Sequence, residues 1–277
     1  MSIENPVLSD LLNPLVDICV GAGEKILEIY NSDDFVNATD VQTKGDDSPL
    51  TKADLAAHHH IVNALAELTP NLPVLSEESA DITWETRQSW DRYWLVDPLD
   101  GTKEFIKRNG EFTVNVALIE GHEAIMGVVH VPAKSETYYA ARDVGAYKRD
   151  SEGTNHFIQV RKPANKKPVV VGSRSHQSEA MQQYLEVLGE HEMTPMGSSL
   201  KLCLVAEGLA DLYPRLGLTS EWDTAAAQAV VEIAGGEVVT ADRKPLLYNT
   251  KENLLNPWFM VFGDSTHDWC KGIPEQD

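Results

Sequence analysis

Trp94-Leu95-Val96-Asp97-Pro98-Leu99-Asp100-Gly101-Thr102 is the stretch that decides the fold of this 277-residue chain. Residues 93–96 are aromatic or aliphatic and precede turn-forming residues, which predicts a buried strand. Pro98 fixes its own φ and disfavours the helical region for Asp97, so we expect the chain to bend directly after this strand. The bend is expected to direct the carboxylates of Asp97 and Asp100, and the Leu99 carbonyl between them, towards one point.

This converging pair of acids predicts a metal site. Two carboxylates without a basic partner repel each other and raise each other's pKa. A hard divalent cation such as Mg²⁺ removes that repulsion, and carboxylate and carbonyl oxygens are its preferred ligands. The alternative is a solvated strand-to-helix turn, in which Asp, Pro and Gly are also common.

The composition narrows the class of protein. The chain has 43 acidic and 23 basic residues, a formal net charge of −20, which argues against a nucleic-acid polymer as partner. The same charge gives no electrostatic support for docking on an anionic membrane. Three widely separated cysteines match no metal or redox spacing and are typical of a reducing cytosol. The first residues lack the features of a signal peptide and no apolar run reaches membrane-spanning length, so we expect a cytoplasmic protein.

Hydrophobic periodicity predicts a mixed α/β chain in two parts. In the first part it predicts helices at 7–30 and 52–68, a short strand at 73–75, and an antiparallel sheet built from 112–119, 124–131 and 136–141. In the second it predicts strands at 169–172, 211–215 and 237–240 alternating with helices at 178–188, 200–207 and 223–234. We therefore expect one unit with two subdomains, 1–165 and 166–277, a ligand cleft between them, and a loosely held tail after residue 265.

Three further acids lie near predicted strand ends and helix starts. Glu77 follows a strand, whereas Asp54 and Asp223 lie near the starts of predicted helices. Asp223 is equally well interpreted as an N-cap, Asp54 as an acid favoured by the helix dipole, and Thr102 as the cap of the next helix. Taken together, these residues occupy the places where oxyanions and their metals bind.

Three motifs in this order resemble the lithium-sensitive inositol monophosphatase superfamily: Ser76-Glu77-Glu78, Asp97-Pro98-Leu99-Asp100-Gly101-Thr102 and Trp222-Asp223-Thr224-Ala225-Ala226. The resemblance covers nearly the whole chain and implies a Mg²⁺-dependent phosphomonoesterase with a layered αβαβα fold. Five longer strings are similar to the CysQ-type 3′(2′),5′-bisphosphate nucleotidases: 75–78, 94–115, Gly197-Ser198-Ser199-Leu200-Lys201, Leu212-Tyr213-Pro214-Arg215 and 222–226. Within them, Lys103-Glu104-Phe105 after the turn separates this branch from the inositol phosphatases. That branch implies hydrolysis of adenosine 3′,5′-bisphosphate to AMP and phosphate, and of 3′-phosphoadenylyl sulfate, in sulfur assimilation.

The resemblance also implies a role for each matching residue. Thr102 and Asp54 would orient and deprotonate the attacking water, Glu77 completes the catalytic set, and displacement at phosphorus is in line. The implied ligands of two or three Mg²⁺ ions are Glu77, Asp97, the Leu99 carbonyl, Asp100 and Asp223. The implied substrate contacts are Glu77, Leu99, Asp100, Gly101, Thr102, His176, Ser198, Lys201, Arg215 and Asp223.

The nucleotide contacts and the function both have alternatives. The resemblance assigns His176 to the adenosine part, and Ser198, Lys201 and Arg215 to the ribose and 5′-phosphate. Lys201 is otherwise a solvated helical residue, and Ser198 an N-cap. An inositol-monophosphatase activity on the same metal core is the nearest rival function. A non-catalytic sensor of bisphosphate or cation is the rival of another class. Family precedent includes peripheral association with the cytoplasmic side of the inner membrane, and the oligomeric state stays open.

Overall fold

The structure, a computed structural model, describes residues 7–36, 48–173 and 178–275. Its helices are α1 (Leu8–Tyr30), α2 (Asp33–Val36), α3 (Pro49–Leu68), α4 (Trp84–Arg87), α5 (Thr102–Ile106), α6 (Glu179–Leu188), α7 (Leu200–Ala206) and α8 (Ala225–Ile233). Its strands are β1 (Val74–Ser76), β2 (Arg92–Asp100), β3 (Thr113–Glu120), β4 (Glu123–Val131), β5 (Glu136–Ala141), β6 (Gly145–Arg149), β7 (Asn155–Phe157), β8 (Val169–Gly172), β9 (Glu192–Pro195), β10 (Leu212–Arg215), β11 (Glu237–Thr240) and β12 (Phe259–Phe262).

The strands form two sheets. The first has the order β1-β2-β3-β4-β5-β6-β7, in which β1 is parallel to β2 and every later pair is antiparallel. The second has the order β11-β12-β10-β8-β9 and mixes parallel and antiparallel pairs. The antiparallel sheet predicted from 112–141 is confirmed, and β6 and β7 extend it.

The helices and the two sheets form five layers, which pack together through three apolar clusters. In the first cluster α1 and α3 pack on one face of the first sheet; in the second, α7 and α8 fill the space between the two sheets. In the third, α6 covers the outer face of the second sheet. Strand β2 serves two of these clusters because alternate residues face opposite sides: Tyr93 and Leu95 face α7 and α8, and Trp94 and Val96 face α1 and α3. The αβαβα order predicted from the resemblance is confirmed.

Helix α8 lies directly against the first sheet although it belongs to the second part of the chain. A Cβ added at Gly127 of β4 would come within 2.1 Å of the Ala226 carbonyl oxygen, so only glycine fits beneath this helix. The alanines of α8 permit the same close approach. The two predicted subdomains therefore share a packed layer, and their boundary at residue 165 stays a prediction.

Strand β2 is longer than predicted, because it continues through Pro98 to Asp100. On one side β1 pairs only with Trp94–Val96, so the missing N–H of Pro98 costs no ladder hydrogen bond there. On the other side the register against β3 shifts between Asp97 and Asp100. The expected bend is therefore an irregularity inside the strand, and the predicted strand end at residue 96 is wrong.

The segment after residue 265 is packed, which contradicts the expected loose tail. The Trp269 side chain is buried against α6, and its Nε1 donates to the Asp264 carbonyl at 2.6 Å. Its own carbonyl accepts a hydrogen bond from the Tyr184 hydroxyl at 2.7 Å. None of the helices in the described ranges combines the length and apolar character that a membrane span requires.

Candidate active site

Two neighbouring strands deliver the first acids of the site. Because β1 runs parallel to β2 with Ser76 opposite Val96, the residues that follow, Glu77 and Asp97, lie side by side. Glu77 begins the 3₁₀ turn Glu77–Ser79, and Asp100 ends β2.

Asp223 reaches the same place from the second part of the chain. It ends the 3₁₀ turn Glu221–Asp223, and its Oδ2 accepts the Ser220 N–H at 2.9 Å in a capping box. The cap position of α8 is Thr224, so Asp223 is not the N-cap of that helix.

Asp54 lies on the side of α3 that faces the interior. Helix α3 begins at Pro49 rather than residue 52, so Asp54 is its sixth residue and lies beyond the first turn. The helix-dipole explanation of this acid is therefore wrong. Asp54 is 1% exposed, and α3 packs against β2, α5 and the turn that carries Glu77. A buried acid at this position calls for a functional explanation.

The five acids act on one another electrostatically. Burial raises the pKa of Asp97 well above its usual range, and the charges of Asp100, Glu77, Asp223 and Asp54 raise it further, in that order. Burial and the Asp100 charge likewise raise the pKa of Asp223 to about 7, against the opposing effects of the Ser220 N–H and Arg215. A bound cation would counteract both pKa shifts, since it favours the charged form of each carboxylate.

Each of three acids uses one oxygen for an internal hydrogen bond. Asp97 Oδ1 accepts the Leu99 N–H at 3.1 Å, and Asp100 Oδ2 accepts both the N–H and the hydroxyl of Ser199, at 2.6 and 2.8 Å. Asp223 Oδ2 is held by Ser220, as described above. No hydrogen bond from a described residue reaches the second oxygen of any of the three.

The residues present fit a hard divalent cation in their chemistry. The donors are carboxylates, and Asn115, opposite Asp97 on β3, is a buried amide whose Oδ1 and Nδ2 have no hydrogen-bond partner among the described residues. Within residues 7–36, 48–173 and 178–275, however, no three or more His, Cys, Asp or Glu side chains are drawn together as a closed metal-binding group. The ligand set Glu77, Asp97, Leu99, Asp100 and Asp223 therefore stays a prediction.

Two adjoining cavities open beside these acids. The larger, about 230 Å³, is lined by the acids Asp100 and Asp223 and also by Gly101, Ser198, Lys201 and Arg215. The smaller, about 120 Å³, shares Ser173, Tyr213 and Arg215 with it. Gly101 has a φ of +90° and is the N-cap residue of α5, so Thr102 is the first helical residue and not the cap.

The two basic residues Lys201 and Arg215 of the cavity lining are more buried than side chains on a solvated helix face. Lys201 Nζ donates to the Ser198 carbonyl at 2.6 Å, and burial lowers the pKa of this amine. Arg215 donates through Nη2 to the Leu218 carbonyl at 2.6 Å, while its buried Nε has no partner among the described residues. Because Lys201 is half-buried and its amine is hydrogen-bonded, its interpretation as a solvated helical residue is wrong. The N-cap residue of α7 is Ser199, so the interpretation of Ser198 as the N-cap is also wrong. His176 lies outside the described residues.

Sequence reasoning missed Ser199 and Glu111. Ser199 holds Asp100, and Glu111 Oε2 accepts the Gly197 N–H at 2.8 Å, which fixes the loop before α7. The Gly197-Ser198-Ser199 sequence ahead of an apolar helix is the signal that could have indicated a constrained loop.

Comparison with known proteins supports the fold and the family. The model of the inositol monophosphatase family matches residues 7–264. The 3′(2′),5′-bisphosphate nucleotidase CysQ of Escherichia coli K12 is 51% identical over 251 residues, 91% of this chain and 99% of the relative. The protein of the same name from Haemophilus influenzae is 37% identical over 264 residues, 94% of this chain and 95% of the relative.

Solved structures are also similar to this chain. The crystal structure of CysQ from Bacteroides thetaiotaomicron superposes with a TM-score of 0.83 at 44% identity, covering 94% of this chain and 99% of that one. An inositol monophosphatase from Zymomonas mobilis has a TM-score of 0.78 at 20% identity, covering 97% of this chain and 99% of that one, a likeness of fold alone. Since the family match spans nearly every described residue, the chain belongs to the inositol monophosphatase family.

Proposed function

We propose that this protein is a Mg²⁺-dependent phosphatase that hydrolyses adenosine 3′,5′-bisphosphate to AMP and phosphate. It is also proposed to act on 3′-phosphoadenylyl sulfate, and so to serve sulfur assimilation in the cytoplasm. Relatives that carry the name 3′(2′),5′-bisphosphate nucleotidase at 51% identity over 91% of the chain support the activity.

The observation that carries the choice of substrate is the mixed charge of the cavity lining. The carboxylates of Asp100 and Asp223 and the cations Lys201 and Arg215 line the same cavity. The carboxylates suit a phosphate ester bound through divalent cations, whereas the two cations suit a second phosphate bound directly. A monophosphate needs only the carboxylates. The position of Arg215 on the wall shared by both cavities favours a substrate that extends from one into the other.

Each residue of the proposed site has a role in the reaction. Glu77, Asp97, Asp100, Asp223 and the Leu99 carbonyl would hold Mg²⁺, which supplies positive charge that acidifies the attacking water and stabilises the departing 3′-oxygen. Thr102 orients that water through its hydroxyl, and the Asp54 carboxylate receives the proton. The position of Asp54 supports this role, since it is buried on α3, which packs against α5 and against the turn that carries Glu77.

Phosphate release from a substrate panel tests the proposal. The panel contains adenosine 3′,5′-bisphosphate, 3′-phosphoadenylyl sulfate, inositol 1-phosphate and 5′-AMP, each with Mg²⁺ and with EDTA. We expect Mg²⁺-dependent turnover that favours the two nucleotides carrying a 3′-phosphate. A preference for inositol 1-phosphate would assign the protein to the sugar phosphatases of the family instead.

Two variants test the roles of the water-activating residues. Asp54→Asn and Thr102→Ala are expected to lower kcat by a factor of about 100 or more, the usual contribution of general base catalysis. Asp81→Asn removes an exposed acid outside the site and serves as the matched control. Unchanged turnover in either active-site variant contradicts its assigned role. Binding of the bisphosphate without any turnover by the wild-type protein identifies a sensor rather than an enzyme.

A further inference from the structure

Ser199 lies between two segments that carry acids of the site. Its side chain is buried, its N–H donates to Asp100 Oδ2 at 2.6 Å, and its hydroxyl lies 2.8 Å from the same oxygen. The hydroxyl is also 2.9 Å from the carbonyl oxygen of Asp223. One residue at the start of α7 therefore contacts both the end of β2 and the turn before α8.

The loop that presents Ser199 is held in place from both sides. Glu111 Oε2 accepts the Gly197 N–H, and a Cβ added at Gly197 would come within 2.5 Å of Glu104 Cγ, so the loop packs directly against this neighbour. Ser198 adopts a left-handed conformation with φ +44°. These contacts constrain the backbone of the loop, and so fix the direction of the Ser199 N–H before any ligand binds.

These contacts give the two oxygens of the Asp100 carboxylate different surroundings. The Ser199 N–H donates to Oδ2, the Ser199 hydroxyl shares its one proton between Oδ2 and the Asp223 carbonyl oxygen, and no described residue donates to Oδ1. A carboxylate whose rotation is fixed in this way presents one defined oxygen, which lowers the conformational cost of binding a cation. Hydrogen bonds to a charged carboxylate are about twice as strong as neutral ones, so they can set its orientation.

We propose that Ser199 is a positioning residue, which fixes the Asp100 carboxylate for Mg²⁺ and ties it to the segment that carries Asp223. The inference rests on the proposed function, because it takes Asp100 as a metal ligand. Residues that orient metal ligands typically change metal affinity by a factor of about 10 to 100 when they are removed. Ser199→Ala keeps the backbone N–H and loses only the hydroxyl, so we expect the lower end, a roughly tenfold weaker Mg²⁺ affinity.

The test measures Mg²⁺ binding without substrate. Isothermal titration with Mg²⁺ and the Mg²⁺-induced shift in Tm are compared for the wild type, Ser199→Ala and Thr69→Val. Thr69→Val is the matched control, since it removes a buried hydroxyl that accepts from Trp94 Nε1 at 2.8 Å in another part of the fold. It is expected to lower stability without changing Mg²⁺ affinity.

A second pair of variants separates the hydroxyl from its volume. Ser199→Thr and Ser199→Val have nearly the same shape, so any steric cost is common to both and the comparison holds even if Ser199→Ala does not fold. We expect the valine variant to bind Mg²⁺ about tenfold more weakly than the threonine variant. In turnover assays the Mg²⁺ half-saturation should rise by a similar factor, while kcat at saturating Mg²⁺ changes less.

The inference is overturned if Ser199→Ala binds Mg²⁺ within twofold of the wild type, or if the threonine and valine variants bind it equally. These outcomes are separate from failure of the proposed function. A wild-type protein that binds Mg²⁺ but hydrolyses no bisphosphate refutes the function and leaves the Ser199 comparison valid. A wild-type protein that hydrolyses the bisphosphate, with Mg²⁺ affinity insensitive to Ser199, refutes only the positioning role.

Discussion

Neutralising Asp223 is expected to stabilise the metal-free protein at alkaline pH. Burial and the Asp100 charge raise the pKa of Asp223 from 3.8 to about 7. The folded state therefore holds this proton more tightly than the unfolded chain does. The stability that this proton contributes is fully present when the pH is below the pKa of Asp223 in the unfolded chain. It is lost as the pH rises through the pKa of Asp223 in the folded protein.

The magnitude follows from the size of the shift. A difference of about three pKa units corresponds to about 4 kcal/mol once the pH exceeds both values. Because Asp97 and Asp100 share the same repulsion, we expect Asp223→Asn to recover about 2 to 4 kcal/mol at pH 8. The amide oxygen of asparagine can still accept the Ser220 N–H, so the capping box is preserved.

Urea unfolding in EDTA at pH 4 and pH 8 measures this effect. The variant should be more stable than the wild type at pH 8, whereas the two should be nearly equal at pH 4. Adding Mg²⁺ at pH 8 should stabilise the wild type and have a smaller effect on the variant. Asp81→Asn, which removes an exposed acid, should show neither effect. A variant less stable than the wild type at pH 8, or a difference independent of pH, refutes the reasoning about the acid cluster.

Three further predictions concern other parts of the molecule. Arg215→Gln should raise KM for adenosine 3′,5′-bisphosphate about 10- to 100-fold and leave hydrolysis of 3′-AMP nearly unchanged, because only the first substrate has a 5′-phosphate. Equal losses on both substrates would contradict this role. Arg87→Ala should lower the free energy of unfolding, measured in urea, by about 3 kcal/mol or more. The Arg87 guanidinium donates a hydrogen bond to Asn249 Oδ1 and lies near the buried Glu221 carboxylate, which the variant leaves without this cation. A loss below about 1 kcal/mol would count against this buried network. Lithium in the millimolar range should inhibit phosphate release by occupying one Mg²⁺ position, and an enzyme indifferent to it would argue against that position.

The elements with strong periodicity were predictable, and those whose structure depends on neighbours were not. Helix α1 and strands β3 to β5 match their predicted ranges closely, because their apolar patterns face a buried layer. Strand β7 lies at the edge of the first sheet with all three residues exposed, so it carries no apolar pattern. The start of α3 was detectable, since Ser48 is its cap and Pro49 its first residue, a preferred helix start.

The residues of the site also differ in whether a local sequence pattern or a distant neighbour determines their structure. The acids Glu77, Asp97, Asp100 and Asp223 can be proposed from the sequence because their motifs are local. The Ser199 contact to Asp100 joins residues 99 positions apart, and nothing in either neighbourhood specifies it. The irregularity of β2 also depends on a partner, because β1 ends opposite Val96 and leaves Pro98 without a ladder to interrupt.

Identifying the product of adenosine 3′,5′-bisphosphate hydrolysis tests the central claim most directly. If the acids hold the 3′-phosphate through Mg²⁺ while Arg215 retains the 5′-phosphate, chromatography should find 5′-AMP and one equivalent of phosphate, and no reaction in EDTA. Formation of 3′-AMP, or hydrolysis that continues without a divalent cation, would contradict the account.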